Sequence, residues 1–235
     1  FHETVLKIRY SSVPVVCAVQ GMALGGGCEI PLACDAIQAA GETYIGLVEL
    51  GVGLIPAGGG TREMACRAAE AVPAGYPVDS FGFLMRYFEN IAMARTSGSA
   101  ADARQLGYLT AGDGISMNRD RVIADARSRV LAMASQGYCP PRPRKSVKVA
   151  GEAGIAELKI LLSQYSGGGF ISEYDEFLAG RMAHVLCGGN IDAENPVSEQ
   201  YLLDLECEVF LELLGQQKTL DRIEHTLKTG KPLRN

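Results

Sequence analysis

Three successive glycines, Gly25 to Gly27, stand between a β-branched apolar run and a short apolar stretch that contains a proline. Few chain geometries accommodate that order. The run PVVCAV (14–19) is continuous, β-branched and closed by Gly21, which reads as a buried strand. In the following GMALGGGCEIPLACD, Pro31 has no N–H and is tolerated only where a helix loses little by it. This predicts a helix starting near Gly27 or Cys28. A second short strand is expected at AIQAA (36–40). The stretch TYIGLVELGVGLIPAGGG (43–60) is too rich in glycine for a long helix and reads as irregular backbone running into a turn at Pro56.

Beyond Gly60 the apolar period becomes helical. Phe83, Leu84, Tyr87, Phe88 and Ile91 form one stripe, Val122, Ile123, Ala126, Val130 and Met133 another, and Leu202, Leu205, Val209 and Leu213 a third. The proline-rich YCPPRPR (138–144) reads as a linker, SGGG (166–169) as a flexible joint and KTGKPLRN (228–235) as a solvated basic end. The expected class is therefore α/β, with an α/β part over 1–66 and a helical part over 67–235.

Composition narrows the partners. The chain carries 22 Lys+Arg against 27 Asp+Glu, a formal net charge of −5, which disfavours nucleic acid. The cysteines at 17, 28, 34, 66, 139, 187 and 207 are odd in number and never in CxxC spacing, a pattern of a reducing compartment. With histidines only at 2, 184 and 225, no metal is expected, and structural roles are expected for His184 and His225. No apolar run approaches the ~20 residues of a membrane span, so a cytoplasmic chain without membrane association is expected. Its start at Phe1 rather than Met predicts a polypeptide cut from something longer.

GVGLIPAGGGT (51–61) invites a phosphate-binding reading and fails it twice. A dinucleotide fingerprint from Gly51 would need glycine at 56, where Pro56 stands, and a phosphate loop from Gly53 would need lysine where Gly59 stands. More informative is the corner formed by strand, Gly25-Gly26-Gly27 and helix. A helix N-terminus offers unpaired N–H groups and about half a positive charge, and glycines let a ligand come close to them. Such a corner suits an oxyanion. Close strand-on-helix packing would use the same glycines without any ligand. Glu29 lies one turn from that corner, and Glu49 follows the second strand. Two glutamates can share a water, one taking its proton while the other protonates the substrate; ordinary surface acids are the plain alternative. Glu29, set between GGGC and IPLAC, is the harder to read as a surface acid, because an unpaired buried charge is costly.

VPVVCAVQGMALGGGCEIPLACD resembles the strand, oxyanion loop and helix of the crotonase (enoyl-CoA hydratase/isomerase) superfamily, and ETYIGLVELGVGLIPAGGGT resembles the segment bearing its second acid. The resemblance implies an N-terminally truncated crotonase-like (ClpP/crotonase) core with a long helical C-terminal part. It implies that the Gly26 amide binds the thioester oxygen, that Glu29 and Glu49 are the catalytic acids of a hydratase, and that Gly25, Gly26 and the Ala57 amide line the substrate and its water. The acyl-CoA thioester would be the partner, with no cofactor in this chain. The VSEQYLLDLECEVFLELLGQQKTLDRIEHTLKTGKPLRN end further resembles the C-terminal end of fused 3-hydroxyacyl-CoA dehydrogenase/enoyl-CoA hydratase proteins of fatty-acid β-oxidation. By that resemblance an NAD-binding part and the second oxyanion donor precede Phe1, and these residues alone are expected to be inactive. Trimers or hexamers follow by family analogy. Isomerase or hydrolase chemistry through the same enolate, or a non-catalytic oligomerisation scaffold, are the alternative expectations.

Overall fold

The computed structural model describes residues 1–73 and 80–235. Along the chain run α1 (His2–Arg9), β1 (Val16–Leu24), α2 (Gly26–Ala33), β2 (Ala36–Gly46), a 3-10 turn (Glu49–Val52), α3 (Gly60–Glu70), α4 (Phe81–Ala92), α5 (Ala100–Leu106), β3 (Gly114–Ser116), α6 (Val122–Ser135), α7 (Gly151–Gly167), α8 (Glu173–Leu186), α9 (Glu199–Leu214) and α10 (Gln217–Thr229). These elements gather into two compact units that interleave in sequence. One comprises 1–47, 58–60 and 95–143, the other 48–57, 61–94 and 144–235. The sequence reading drew a single boundary after residue 66; packing instead groups 95–143 with the first strands.

The first unit is built on a parallel sheet in the order β1-β2-β3. β2 is covered on both faces, with Ala36 to Ala40 buried in succession, whereas β1 buries Val19 and Ala23 but leaves Ala18, Gln20 and Met22 exposed, so the strand expected over 14–19 forms but is only partly buried. β2 runs past the expected end at Ala40 to Gly46. Pairing resumes beyond an irregularity between Val19 and Gly21, and the Thr43 hydroxyl donates to Ala40 O (2.7 Å) across the bend. Ser97 fixes the far end of β2, accepting from Ile45 N (2.9 Å) and donating to Thr43 O (3.2 Å). β3 was not anticipated. Its Gly114 passes so close to Gln38 that a Cβ there would lie 2.0 Å from Oε1. Gln38 in turn donates to Ser116 Oγ (2.9 Å), and Ser116 to Asp125 (2.6 Å).

In the second unit the helices pack as their stripes require. Leu202, Leu205, Val209 and Leu213 of α9 are all buried, as are Leu84, Tyr87, Phe88 and Ile91 of α4. Phe83 departs from its stripe and is half exposed. In the first unit the α6 stripe is narrower than expected. Val122 and Ala126 are buried, whereas Ile123, one position and about 100° further round, is exposed. SGGG is not a joint: α7 runs through Gly167, and Gly169 ends the turn at φ +73°. The C-terminal end is exposed over 228–232 as expected, but its last two residues are pinned. Arg234 Nη1 reaches Asp175 (2.7 Å), and Asn235 Oδ1 accepts from Arg222 Nε (2.8 Å). No helix among the described residues is long and apolar enough to cross a membrane.

Candidate active site

The glycine corner forms as the sequence requires, one residue earlier than expected. β1 ends at Leu24, Gly25 turns at φ +57° and ψ −129°, and α2 begins at Gly26. A side chain at position 25 would be strained in that conformation. Pro31 becomes the sixth of eight helical residues, and the helix ends two residues after it. The three glycines do different work. Gly25 N donates to Gly46 O (2.9 Å), so that amide is spent on the sheet, and Gly25 O accepts from Cys28 N (2.7 Å) and Glu29 N (3.1 Å). Gly26 N donates to no described acceptor. It remains an unpaired donor at the positive end of α2, open to an anion.

Glu29 lies on the same first turn and is 5% exposed. Its Oε1 accepts from two backbone amides, Gly58 N (2.7 Å) and Gly60 N (2.8 Å). Charge-assisted bonds of this kind are what make a buried carboxylate tolerable. The fit is close: a Cβ built on Gly58 would lie 2.3 Å from Glu29 Oε2 and 2.1 Å from Cε1 of the Phe1 ring. From Gly26 the same construction reaches Oε2 and Phe1 Cζ only at 3.9 Å. Gly26, Glu29, Gly58 and the Phe1 ring thus share one corner of the first unit. The Gly58 and Gly60 amides on Glu29 were missed in the sequence. The run of glycines after Ala57 was their only signal.

Glu49 and Ala57 belong to the second unit. Glu49 is half-buried and opens the 3-10 turn, whose backbone closes through Gly51 N on Val48 O (3.0 Å), Gly53 N on Leu50 O (3.1 Å) and Leu54 N on Glu49 O (3.1 Å). Ala57 follows Pro56, whose carbonyl accepts the Thr61 hydroxyl (2.6 Å). The corner in the first unit therefore unites Gly25, Gly26 and Glu29, and the second unit presents Glu49 on a turn of its own.

Elsewhere in the second unit, a cavity of about 410 Å³ between α7 and α8 is lined by Ile155, Leu162, Phe177, Lys159, Arg181 and His184, among others, and contains none of the residues above. Burial, then the charges of Arg181 and Lys159, hold the His184 pKa below its ordinary value. Among the described residues no group of His, Cys, Asp and Glu is arranged to hold a metal ion.

A parallel sheet whose first strand runs through a glycine corner into a helix bearing a buried glutamate defines a crotonase-like α/β fold. The whole chain superposes on an enoyl-CoA hydratase from Mycobacterium avium subsp. paratuberculosis with a TM-score of 0.57 at 20% identity, covering 100% of this chain and 70% of that one. In sequence, residues 1–72, which include the corner, Glu29 and Glu49, match the enoyl-CoA hydratase/isomerase family. Over its full 235 residues it is 45% identical to a probable 3-hydroxyacyl-CoA dehydrogenase of Bacillus subtilis, and spans 29% of that relative's length. Over 65 residues, 27% of the chain, it is 42% identical to the fatty acid oxidation complex subunit alpha of Shewanella loihica, covering 9% of that protein.

Proposed function

We propose that this chain supplies the enolate-stabilising corner and the two acids of an enoyl-CoA hydratase acting in fatty-acid β-oxidation. The observation that carries the reading is the unspent Gly26 amide at the start of α2, one turn from a buried glutamate held by two loop amides. In this reading Glu29 takes a proton from water, the water oxygen bonds to Cβ of the 2-enoyl thioester, and the double-bond electrons move onto the thioester oxygen. The Gly26 amide stabilises that oxyanion. Glu49 then delivers a proton to Cα, so one water is added and both acids are restored with solvent. One oxyanion donor is worth about 3–4 kcal/mol of barrier, comparable to either acid.

Gly25 supports the substrate strand-side by its conformation, and the Ala57 amide positions the water. The chain needs no cofactor for this step, since CoA enters with the substrate; NAD belongs to an upstream dehydrogenase part. The chain spans 29% of the length of the Bacillus relative, a probable 3-hydroxyacyl-CoA dehydrogenase, which supports such a part in the same polypeptide. A cytoplasmic location and assembly of several copies complete the reading.

The test is loss of enoyl-thioester conjugation in the full-length polypeptide, with Glu29→Gln and Glu49→Gln beside it. Each is expected to lose at least about a hundredfold in kcat. Full activity in either variant would remove the water-clamp assignment. Migration of the double bond without water uptake would favour an isomerase, and thioester cleavage a hydrolase. Failure of the intact protein to bind any acyl-CoA would leave a scaffold. The isolated 235 residues are expected to show negligible hydration.

A further inference from the structure

The turn that carries Glu49 is gripped from behind by the last helix of the chain. Gly53, which closes the turn at φ +83°, gives its carbonyl to the Thr219 hydroxyl of α10 (2.6 Å). The approach is so close that a Cβ on Gly53 would lie 2.8 Å from Thr219 Oγ1 and 2.9 Å from Thr219 Cα. One helical turn on, Arg222 Nη1 donates to Leu50 O (3.3 Å), the carbonyl next to Glu49. Both side chains are buried, and both are themselves fixed. Tyr174 OH shares a 2.6 Å hydrogen bond with Thr219 Oγ1. Arg222 Nη1 also pairs with Asp175 Oδ1 (2.8 Å), and its guanidinium lies 5.1 Å from the centre of the Tyr174 ring.

The C-terminal residues close the arrangement. Arg234 takes the other oxygen of Asp175 (2.7 Å), Asn235 Oδ1 accepts from Arg222 Nε (2.8 Å), and Asn235 Nδ2 donates to Lys218 O (3.1 Å). Burying an arginine, at 1% exposure, against a backbone carbonyl is expensive unless its charge is paired and its donors used. The acceptors here are a carbonyl of the Glu49 turn and a carboxylate on Nη1 and the side chain of the final residue on Nε, while Nη2 has no hydrogen-bond partner among the described residues.

From this geometry we propose that Thr219 and Arg222 are positioning residues for Glu49, making α10 and the C-terminal residues the device that holds the second acid in place. The inference rests on the hydratase reading. Neither side chain touches the reacting atoms; each acts by holding a carbonyl of the turn from which the Glu49 side chain projects. A loosened turn spreads the carboxyl over positions too far from Cα to deliver its proton. Displacements of about 1 Å at a reacting group cost up to about a hundredfold in rate.

The test is a double-mutant cycle in the full-length polypeptide. Thr219→Val keeps the volume and removes the hydroxyl; Arg222→Lys keeps the charge and removes the fork. Each is expected to lower kcat for enoyl hydration about tenfold or more while KM stays within about twofold, and Thr219→Ser to restore the rate. In a Glu49→Gln background, where no proton is left to place, the same two substitutions are expected to change the residual rate by less than about twofold. An unchanged kcat in Thr219→Val and Arg222→Lys, or an equal loss in both backgrounds, would overturn the positioning role while leaving the hydratase reading intact. Full activity of Glu49→Gln alone would overturn that reading, and this inference with it. If Arg222→Lys fails to fold, the Thr219→Val and Thr219→Ser pair decides the matter by itself.

Discussion

Glu29 has a structural duty separable from the catalytic one proposed for it, and the geometry says how to separate them. A single oxygen, Oε1, accepts both Gly58 N (2.7 Å) and Gly60 N (2.8 Å), and all three residues are buried. In Glu29→Gln the amide oxygen can keep both bonds, and the loss is only their charge assistance, partly offset by cheaper desolvation. We expect about 1 kcal/mol. In Glu29→Ala both amides lose their acceptor, at about 1–3 kcal/mol each for a buried unsatisfied group, reduced if water enters the space. The difference between the two variants should therefore be about 1–5 kcal/mol, or about 2–20 °C in Tm at roughly 2–4 °C per kcal/mol for a chain this long. Thermal melts followed by circular dichroism in one buffer measure it. Hydration of an enoyl thioester in the full-length polypeptide should be abolished by both substitutions alike. Melts within about 1 °C of each other would refute the claim that the loop amides depend on this carboxylate.

Two further outcomes follow from single positions. Gly53→Ala combines a left-handed backbone with a clash against Thr219, and should cost about 2–4 kcal/mol by denaturant unfolding; Gly21→Ala, at φ +68° with nothing within 4 Å of its Cβ, should cost only about 1–2 kcal/mol. Asp175 is raised by burial but lowered more by its bonds to Arg222, Arg234 and the Ser172 amide, so its folded pKa lies below the ordinary carboxylate value. Its contribution is thus present above the unfolded value near pH 4 and lost as pH falls through the folded one. Asp175→Asn should flatten the acid limb of the stability curve below about pH 4, and an unaltered acid-unfolding slope would show that the pairs contribute nothing.

What the sequence revealed was what short segments encode. The strand through Val16 to Val19, the glycine corner and the apolar face of α9 each state their structure within a dozen residues, and all form, the strand running on to Leu24 and the helix after the corner starting one residue early. The misses share a different cause. β3 is three residues long with little strand propensity, and it exists because Gly114 lets the chain settle against Gln38, 76 positions earlier. The pinning of Arg234 and Asn235 leaves no local trace because the groups that hold them, Asp175 and Arg222, lie in α8 and α10. SGGG looks like a joint because glycine weakens a helix, yet α7 is already anchored by buried Ile155, Leu158 and Leu162, and the first of those glycines extends it.

Glu29 shows where the boundary between the two kinds of information falls. A carboxylate set between GGGC and IPLAC had to be either exposed or partnered, and that much is local electrostatics. The structure resolves the choice as burial, with partners 29 and 31 residues away that offer no side chain at all. Backbone donors leave no residue-type signature except the absence of a Cβ, and here that absence is enforced twice: Gly58 cannot take one because of Glu29 and Phe1, and Gly25 cannot because of its own φ. The same economy applies at the Gly26 amide. The proposed oxyanion donor is selected by which of three identical residues the sheet consumes; Gly46 accepts Gly25 N and leaves the next amide unspent. That selection depends on β2 reaching Gly46, so the chemistry proposed for the corner rests on an extension of the second strand that local sequence gave no reason to expect.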